Sequence, residues 1–168
     1  MTECFAIAPL VADHDRSGFS CGVEALDLYL RTQATQDIRR HLANCFVASP
    51  LGSNKVAGYY TLSSASVALT DLPAEQTKRL PRYPVVPAAL IGRLAVTDEY
   101  RGRGLGAALM FDAIERAARS EVAVYAIIVD AKNDAARRFY RHHGFLPFTS
   151  RPGSLFLPVA TANKLLKG

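Results

Sequence analysis

Apolar and polar positions along this chain mark out short strands and amphipathic helices. Residues 5–10 form an apolar run that predicts a first strand. A polar turn through Ser17-Gly18 leads to Phe19-Ser20-Cys21-Gly22. Leu26, Tyr29 and Leu30 then share one helical face, with Glu24, Asp27 and Arg31 elsewhere, and more helix is expected over 33–42. Residues 45–48 and 55–67 predict antiparallel strands around the turn Pro50-Leu51-Gly52-Ser53-Asn54. The four prolines within 71–87 predict an irregular excursion with at most a short helix at 74–80. A strand over 89–96 follows.

The second half is more regular. Met110, Ala113, Ile114, Ala117 and Ala118 recur at i, i+3, i+4, i+7 and i+8, an apolar stripe. On the other side, Asp112–Arg116 and Glu115–Arg119 are spaced as i, i+4 pairs. Residues 122–129 carry no charge, which predicts a strand covered on both faces. Strand, glycine loop, helix, buried strand is the order of a right-handed parallel crossover. A helix over 134–142 is expected to stop at Gly144, a natural residue for the left-handed closing position. Residues 145–148 and 154–157 supply final strands. The class is α/β, with a mixed sheet flanked by helices.

A chain of 168 residues is expected to be one domain, 1–168, and its 49% hydrophobic and 21% charged residues suit a globular protein. With no apolar run of about 18 residues and no basic-apolar-small pattern at Met1, neither a membrane span nor a secretory leader is expected. Cys4, Cys21 and Cys45 are odd in number and not spaced as metal ligands, so reduced thiols in a cytoplasmic protein are expected, with no metal.

Charge changes the picture. The net charge is +5, yet residues 1–30 carry five acids against one base, and the remainder ten acids against nineteen bases. The bases recur in groups: Arg39-Arg40-His41, Lys78-Arg79 with Arg82, Arg93, Arg101 with Arg103, and Arg137-Arg138 with Arg141. This excess points to a polyanionic partner, RNA foremost, against the plainer reading of a solvated basic surface.

The densest chemistry lies in AALIGRLAVTDEYRGRGLG, residues 88–106. Gly102, Gly104 and Gly106 enter a helix N-terminus, where backbone N–H groups can surround a phosphate oxygen. Arg101 and Arg103 add positive potential, and Leu105 begins the helix. A P-loop is excluded, because Gly106-Ala107-Ala108 supplies neither lysine nor hydroxyl. A dinucleotide fingerprint matches on paper at Gly102, Gly104 and Ala107. However, Thr97-Asp98-Glu99-Tyr100 separates the loop from its strand, and Glu121 is the only near candidate for a ribose-binding acid. A plain glycine-rich turn before a helix also fits the loop taken alone.

A second constellation lies on the late helix. Asn133, Ala136 and Tyr140 share one face, with Asn133 and Tyr140 about 10 Å apart along the axis. Asn133 can hydrogen-bond an amide-containing ligand, Ala136 leaves room for it, and Tyr140 presents a phenol able to protonate a departing thiolate. A tyrosine beside Phe139 also fits a core position. His142 and His143, at a helix C-terminus, are read as structural or RNA-contacting rather than catalytic.

Arg101-x-x-Gly104-x-Gly106, then Asn133-x-x-Ala136-x-x-Phe139-Tyr140 and Gly144-Phe145, resemble the GNAT acetyltransferase superfamily across nearly the whole chain. More narrowly, the chain resembles the tRNA-acetylating toxins of type II toxin–antitoxin systems. That likeness rests on Leu26-Asp27-x-Tyr29-Leu30, on Leu80-Pro81-Arg82-Tyr83-Pro84-Val85-Val86-Pro87, on Ile91-Gly92-Arg93-Leu94-Ala95-Val96 and on Leu155-Phe156-Leu157-Pro158.

The resemblance implies a GNAT fold with an acetyl-CoA cleft between central parallel strands, and acetyl-CoA as co-substrate. It implies that the backbone of Leu94, Ala95 and Val96 pairs with the pantetheine arm. Arg101, Gly102, Arg103, Gly104, Leu105 and Gly106 would hold the pyrophosphate, Asn133 and Ala136 would assist, and Tyr140 would be the catalytic acid. The implied reaction acetylates the α-amine of aminoacyl-tRNA and blocks translation. Lys78, Arg79, Arg82 and Arg93 are the expected tRNA contacts. The implied partners are a ribbon-helix-helix antitoxin, operator DNA through that antitoxin, and a second copy of the chain.

Residues 90–96 contain no Glu or His to serve as a base. A lysine acceptor, with a pKa near 10.4, needs one, whereas an esterified α-amine starts below about 8 and is substantially neutral unaided. This favours an α-amine. Two other expectations stay open: a GNAT acting on a protein N-terminus or small amine, and a non-catalytic module that binds CoA or RNA.

Overall fold

The computed structural model describes residues 4–167. In chain order the elements are β1 (Phe5–Pro9), α1 (Glu24–Leu28), a π-helical turn (Tyr29–Gln33), α2 (Ala34–Arg39), β2 (Asn44–Pro50) and β3 (Gly58–Ala68). There follow α3 (Ala74–Thr77), β4 (Val85–Val96), α4 (Leu105–Ala118), β5 (Ala126–Asp130), α5 (Asp134–His142), β6 (Leu146–Pro147), β7 (Ser154–Pro158) and α6 (Val159–Lys167). The strands form one mixed seven-stranded sheet in the order β1-β2-β3-β4-β5-β7-β6.

Residue contacts group into two compact units. The first takes in the chain up to Ser63 together with Gly92–Ala113. Within it β1 pairs antiparallel with β2, and β2 with the start of β3, in the register Phe46↔Tyr60. Its core gathers Phe19, Tyr29, Leu30, Ala34, Cys45, Val47, Tyr59 and Ala95. Gly58 is required here by close approach: a Cβ would lie 2.8 Å from Leu109 and 3.1 Å from the Ala95 carbonyl.

The second unit comprises Ser64–Ile91 and the chain from Ile114 onward. Its parallel ladder pairs Ala88–Ile91 of β4 with Ala126–Val129 of β5, and β7 pairs antiparallel with both β5 and β6. Val67, Val86, Ala88, Ala126, Ile128, Phe148 and Phe156 pack together as its core. Because the parallel ladder ends at Ile91, β4 continues through Gly92–Val96 beyond it.

Most expected elements are present with shifted ends. The α4 stripe is buried at Leu109, Met110, Ala113, Ile114 and Ala117. The expected Arg119–Glu115 pair forms at 2.7 Å, and Asp112 accepts from the Tyr60 hydroxyl at 2.6 Å. α5 ends as expected, with Gly144 at φ +96° and the Phe145 N–H closing on the Tyr140 carbonyl.

Four expectations need correction. The strand expected over 122–129 begins only at Ala126, because the preceding apolar residues lie in a loop where Val122 is 74% exposed. The helix expected to carry Leu26, Tyr29 and Leu30 on one face widens into a π-helical turn at Tyr29, and the further helix expected over 33–42 stops at Arg39 because His41 turns left-handed at φ +58°. Asp27, expected on a polar face, is buried and accepts the Cys21 N–H at 2.9 Å. Beyond these four, α6 lies outside the expected elements: only Ala162 of its residues is buried, so its apolar signal is weak.

Candidate active site

In the first unit, Leu94, Ala95 and Val96 end β4, and Thr97 turns the chain towards the glycine loop. Thr97 is buried; its hydroxyl accepts from the Ser20 N–H at 3.0 Å and donates to the Ser20 carbonyl at 3.1 Å. The Asp98 N–H bonds the same carbonyl at 2.7 Å. A 3-10 turn, Asp98–Tyr100, delivers the chain to Arg101. The loop is therefore tied down at its entrance, so its glycines are held in place.

Gly102 and Gly104 take φ of +78° and +80°, and a Cβ on either would meet nothing within 4 Å. Backbone conformation, not crowding, demands glycine here, and the space over the loop is open. Leu105 is buried and anchors the first turn of α4, whose leading N–H groups have no intrahelical acceptor. An open, glycine-lined helix N-terminus favours an anion.

The two loop arginines differ. The Arg101 guanidinium lies 2.5 Å from the Asp98 carboxylate and donates to the Cys21 carbonyl, so much of its charge is balanced within the protein. Arg103 is exposed, its guanidinium 5.2 Å from the centre of the Tyr100 ring. Arg101 thus shapes the loop through its contacts to Asp98 and Cys21.

In the second unit, Asn133 is the N-cap of α5, its side-chain oxygen accepting the Ala136 N–H at 2.8 Å. Its amide NH2 donates to no group among the described residues. Ala136 is half-buried one turn on, and Tyr140 is 8% exposed. Phe139 and Phe145 meet the Tyr140 ring edge-on, at 5.1 and 5.3 Å between centres. Among the described residues its hydroxyl has no hydrogen-bond partner in the protein. Burial pushes its pKa up to about 12, so the phenol stays protonated at every physiological pH. A phenol held in this form presents an O–H rather than a phenolate.

The expected RNA contacts fall in both units. Lys78 and Arg82 line a cavity of about 490 Å3 over Leu69, Leu72 and Leu80, and Lys78 also pairs with Glu75 at 3.8 Å. Arg79 is exposed beside them. Arg93 belongs to the first unit, its guanidinium carbon 3.6 Å over the Tyr29 ring. Sequence reasoning missed Tyr29 and Asp37 as companions of Arg93, since nothing local pairs a helical tyrosine with a strand arginine. His143 Nδ1 sits 2.9 Å from the Phe139 carbonyl, a structural setting. Among the described residues no cluster of three His, Cys, Asp or Glu side chains could hold a metal, and no helix is long and apolar enough to cross a membrane.

Residues 11–145 match the acetyltransferase (GNAT) family. A tRNA-acetylating toxin of Mycobacterium tuberculosis is 38% identical over 154 residues, 90% of each chain. Among solved structures, AtaT complexed with acetyl-methionyl-tRNAfMet superposes with a TM-score of 0.90 at 29% identity, covering 97% of this chain and 99% of that one. AtaTR bound with AcCoA does so with a TM-score of 0.84 at 29% identity, covering 96% and 98%.

Proposed function

The chain belongs to the acetyltransferase (GNAT) family, and from that premise we propose that it transfers acetyl from acetyl-CoA to the α-amine of aminoacyl-tRNA, as the toxin of a toxin–antitoxin pair. The observation that carries this reading is the near-complete overlap with AtaT, a protein solved with an acetylated aminoacyl-tRNA.

In this reading both units build one acetyltransferase domain. The stretch of β4 beyond its parallel ladder, Leu94–Ala95–Val96, offers backbone groups to the pantetheine arm. The cradle Gly102–Leu105 with Gly106 takes the pyrophosphate on its N–H groups, helped by Arg103, while Arg101 keeps the loop in shape. The Asn133 amide and the small Ala136 border the arm on α5, and Tyr140 donates to the departing sulfur. The neutral amine attacks the thioester carbon, the C–S bond breaks, and sulfur receives a proton. A phenol as weakly acidic as Tyr140 gives up its proton only as the amine releases one, so the two transfers are coupled and the phenol is restored.

Lys78, Arg79, Arg82 and Arg93 are the proposed RNA contacts. The proposed partners are a ribbon-helix-helix antitoxin, operator DNA through it, and a second copy of the chain. Charged tRNA as acceptor places the reaction in the cytoplasm.

The test incubates labelled acetyl-CoA and the protein with charged tRNA, deacylated tRNA and protein acceptors in parallel. Label confined to charged tRNA supports the reading, and sequencing the labelled pool names the amino acid. Label on protein or free amines redirects it to another acceptor, and label nowhere leaves a binding module.

A further inference from the structure

Arg93 lies two residues before Ala95 on β4 and shares its face, so its side chain enters the side of the sheet where Tyr29 and Tyr59 are buried. Its guanidinium carbon stands 3.6 Å from the centre of the Tyr29 ring. Tyr29 is itself fixed: its hydroxyl donates to Asp37 at 2.7 Å, and the Gln33 amide donates to the other oxygen of the same carboxylate at 3.1 Å. Tyr29 and Gln33 bound the π-helical turn, and that turn brings the three groups together.

What the guanidinium does not do is as informative. Among the described residues no oxygen accepts a hydrogen bond from Arg93 and no carboxylate lies in ion-pair range. Asp37 acts on it only through space, while its two oxygens accept from Tyr29 and Gln33. A half-buried cation stacked by its flat face leaves its in-plane N–H edges unused, and that edge matches two oxygens of a phosphate.

We propose that Arg93, laid on Tyr29, is a clamp for a backbone phosphate of the RNA acceptor, with Tyr29 and Asp37 as its positioning residues. The inference rests on the acetyl-transfer reading above and deepens its acceptor side. Arg93 adjoins Leu94, the residue the reading above sets against the pantetheine arm, so a phosphate held here would lie beside the strand at which the acetyl group is delivered. The excess of bases after residue 30 favours RNA over an acidic peptide as the anion.

Three variants test it against an acceptor-stem hairpin ending in CCA, titrated across a salt series, and against charged tRNA at steady state. Arg93→Gln is expected to weaken hairpin binding about tenfold and to lower the slope of log K against log salt by about 0.7–0.9, the loss of one phosphate contact. KM for charged tRNA rises in step, while kcat falls less than about threefold. Arg93→Lys restores the slope but not the affinity, because the charge returns without the fork. Tyr29→Phe keeps the ring, frees it from Asp37, and weakens binding with the slope unchanged. A merely structural role would not separate slope from affinity in this way.

Unchanged affinity and slope in Arg93→Gln overturn the clamp, as does a loss confined to binding of polyglutamate. If the wild type fails to acetylate charged tRNA while Arg93→Gln still lowers the slope, the clamp stands and the acetyl-transfer reading falls. If charged tRNA is acetylated and the slope does not move, the reverse holds.

Discussion

The Arg101 guanidinium and the Asp98 carboxylate lie 2.5 Å apart, and the same guanidinium donates to the Cys21 carbonyl. The pair closes the short turn between β4 and the glycine loop and ties it to the segment before α1. Both side chains are more than half exposed, at 62% and 56%, so the ion pair itself contributes no more than about 1 kcal/mol. Its importance lies in geometry.

Arg101→Ala and Asp98→Ala are therefore expected to raise the Kd for acetyl-CoA by similar factors, of order threefold. Each releases the same tether, and the double variant should be little worse than either alone. Calorimetric titration with acetyl-CoA measures all four proteins. A far larger effect of Arg101→Ala would place that side chain on the pyrophosphate itself.

Gly104→Ala separates the loop's conformation from its space. A left-handed φ of +80° costs an alanine about 1–2 kcal/mol, yet its Cβ would touch nothing within 4 Å. The variant should fold, with Tm lower by about 2–8 °C for a chain of this size, and lose acetyl-CoA affinity as the N–H groups turn away. Gly52→Ala, at the same φ in the β2–β3 turn with equally open space, is the control. It should show a similar Tm loss with affinity intact.

Asn133→Ala removes the cap on Ala136 and should destabilise the protein by about 1 kcal/mol, which thermal melting reads as roughly 2–4 °C. Asn133→Asp keeps a capping oxygen and gives up the NH2 donors. If that amide touches the ligand, Asn133→Asp melts like the wild type but binds acetyl-CoA more weakly, an effect the added negative charge reinforces. Equal Kd values for Asn133→Asp and wild type would confine Asn133 to the cap.

The same residue explains where sequence reading stopped. Asparagine caps helices and also binds amides, and position 133 permits both, so only the fold shows that its oxygen caps α5. The α4 stripe, the stop at Gly144 and the glycine loop were legible because each depends on neighbours within a few positions. Residues 122–124 misled because their apolar side chains lie in a loop, with Val122 74% exposed. The buried Asp27 was illegible because its partner is the backbone N–H of Cys21. Tyr29 under Arg93 is wholly tertiary: a helix and a strand distant in sequence meet on one face of the sheet.

Tyr140 joins burial to chemistry, and one substitution tests both. Replacing it by phenylalanine removes the proton donor and leaves the ring against Phe139 and Phe145, so kcat should fall about 10²–10⁴-fold with acetyl-CoA affinity nearly unchanged. Stability has its own signature. The folded-state pKa is raised from 10 to about 12, so the fold favours the protonated phenol. That contribution is fully present below pH 10 and is lost as pH rises from 10 towards 12. Wild type should therefore lose about 1 kcal/mol relative to Tyr140→Phe by pH 11, a difference absent at pH 8. Tyr29, Tyr59 and Cys45 are also raised by burial but are common to both proteins, so the difference isolates Tyr140. Urea unfolding of the pair at pH 8 and pH 11 measures it. Parallel losses in the two proteins would show the phenol to be solvated, and a solvated phenol would titrate early enough to cut activity near pH 10.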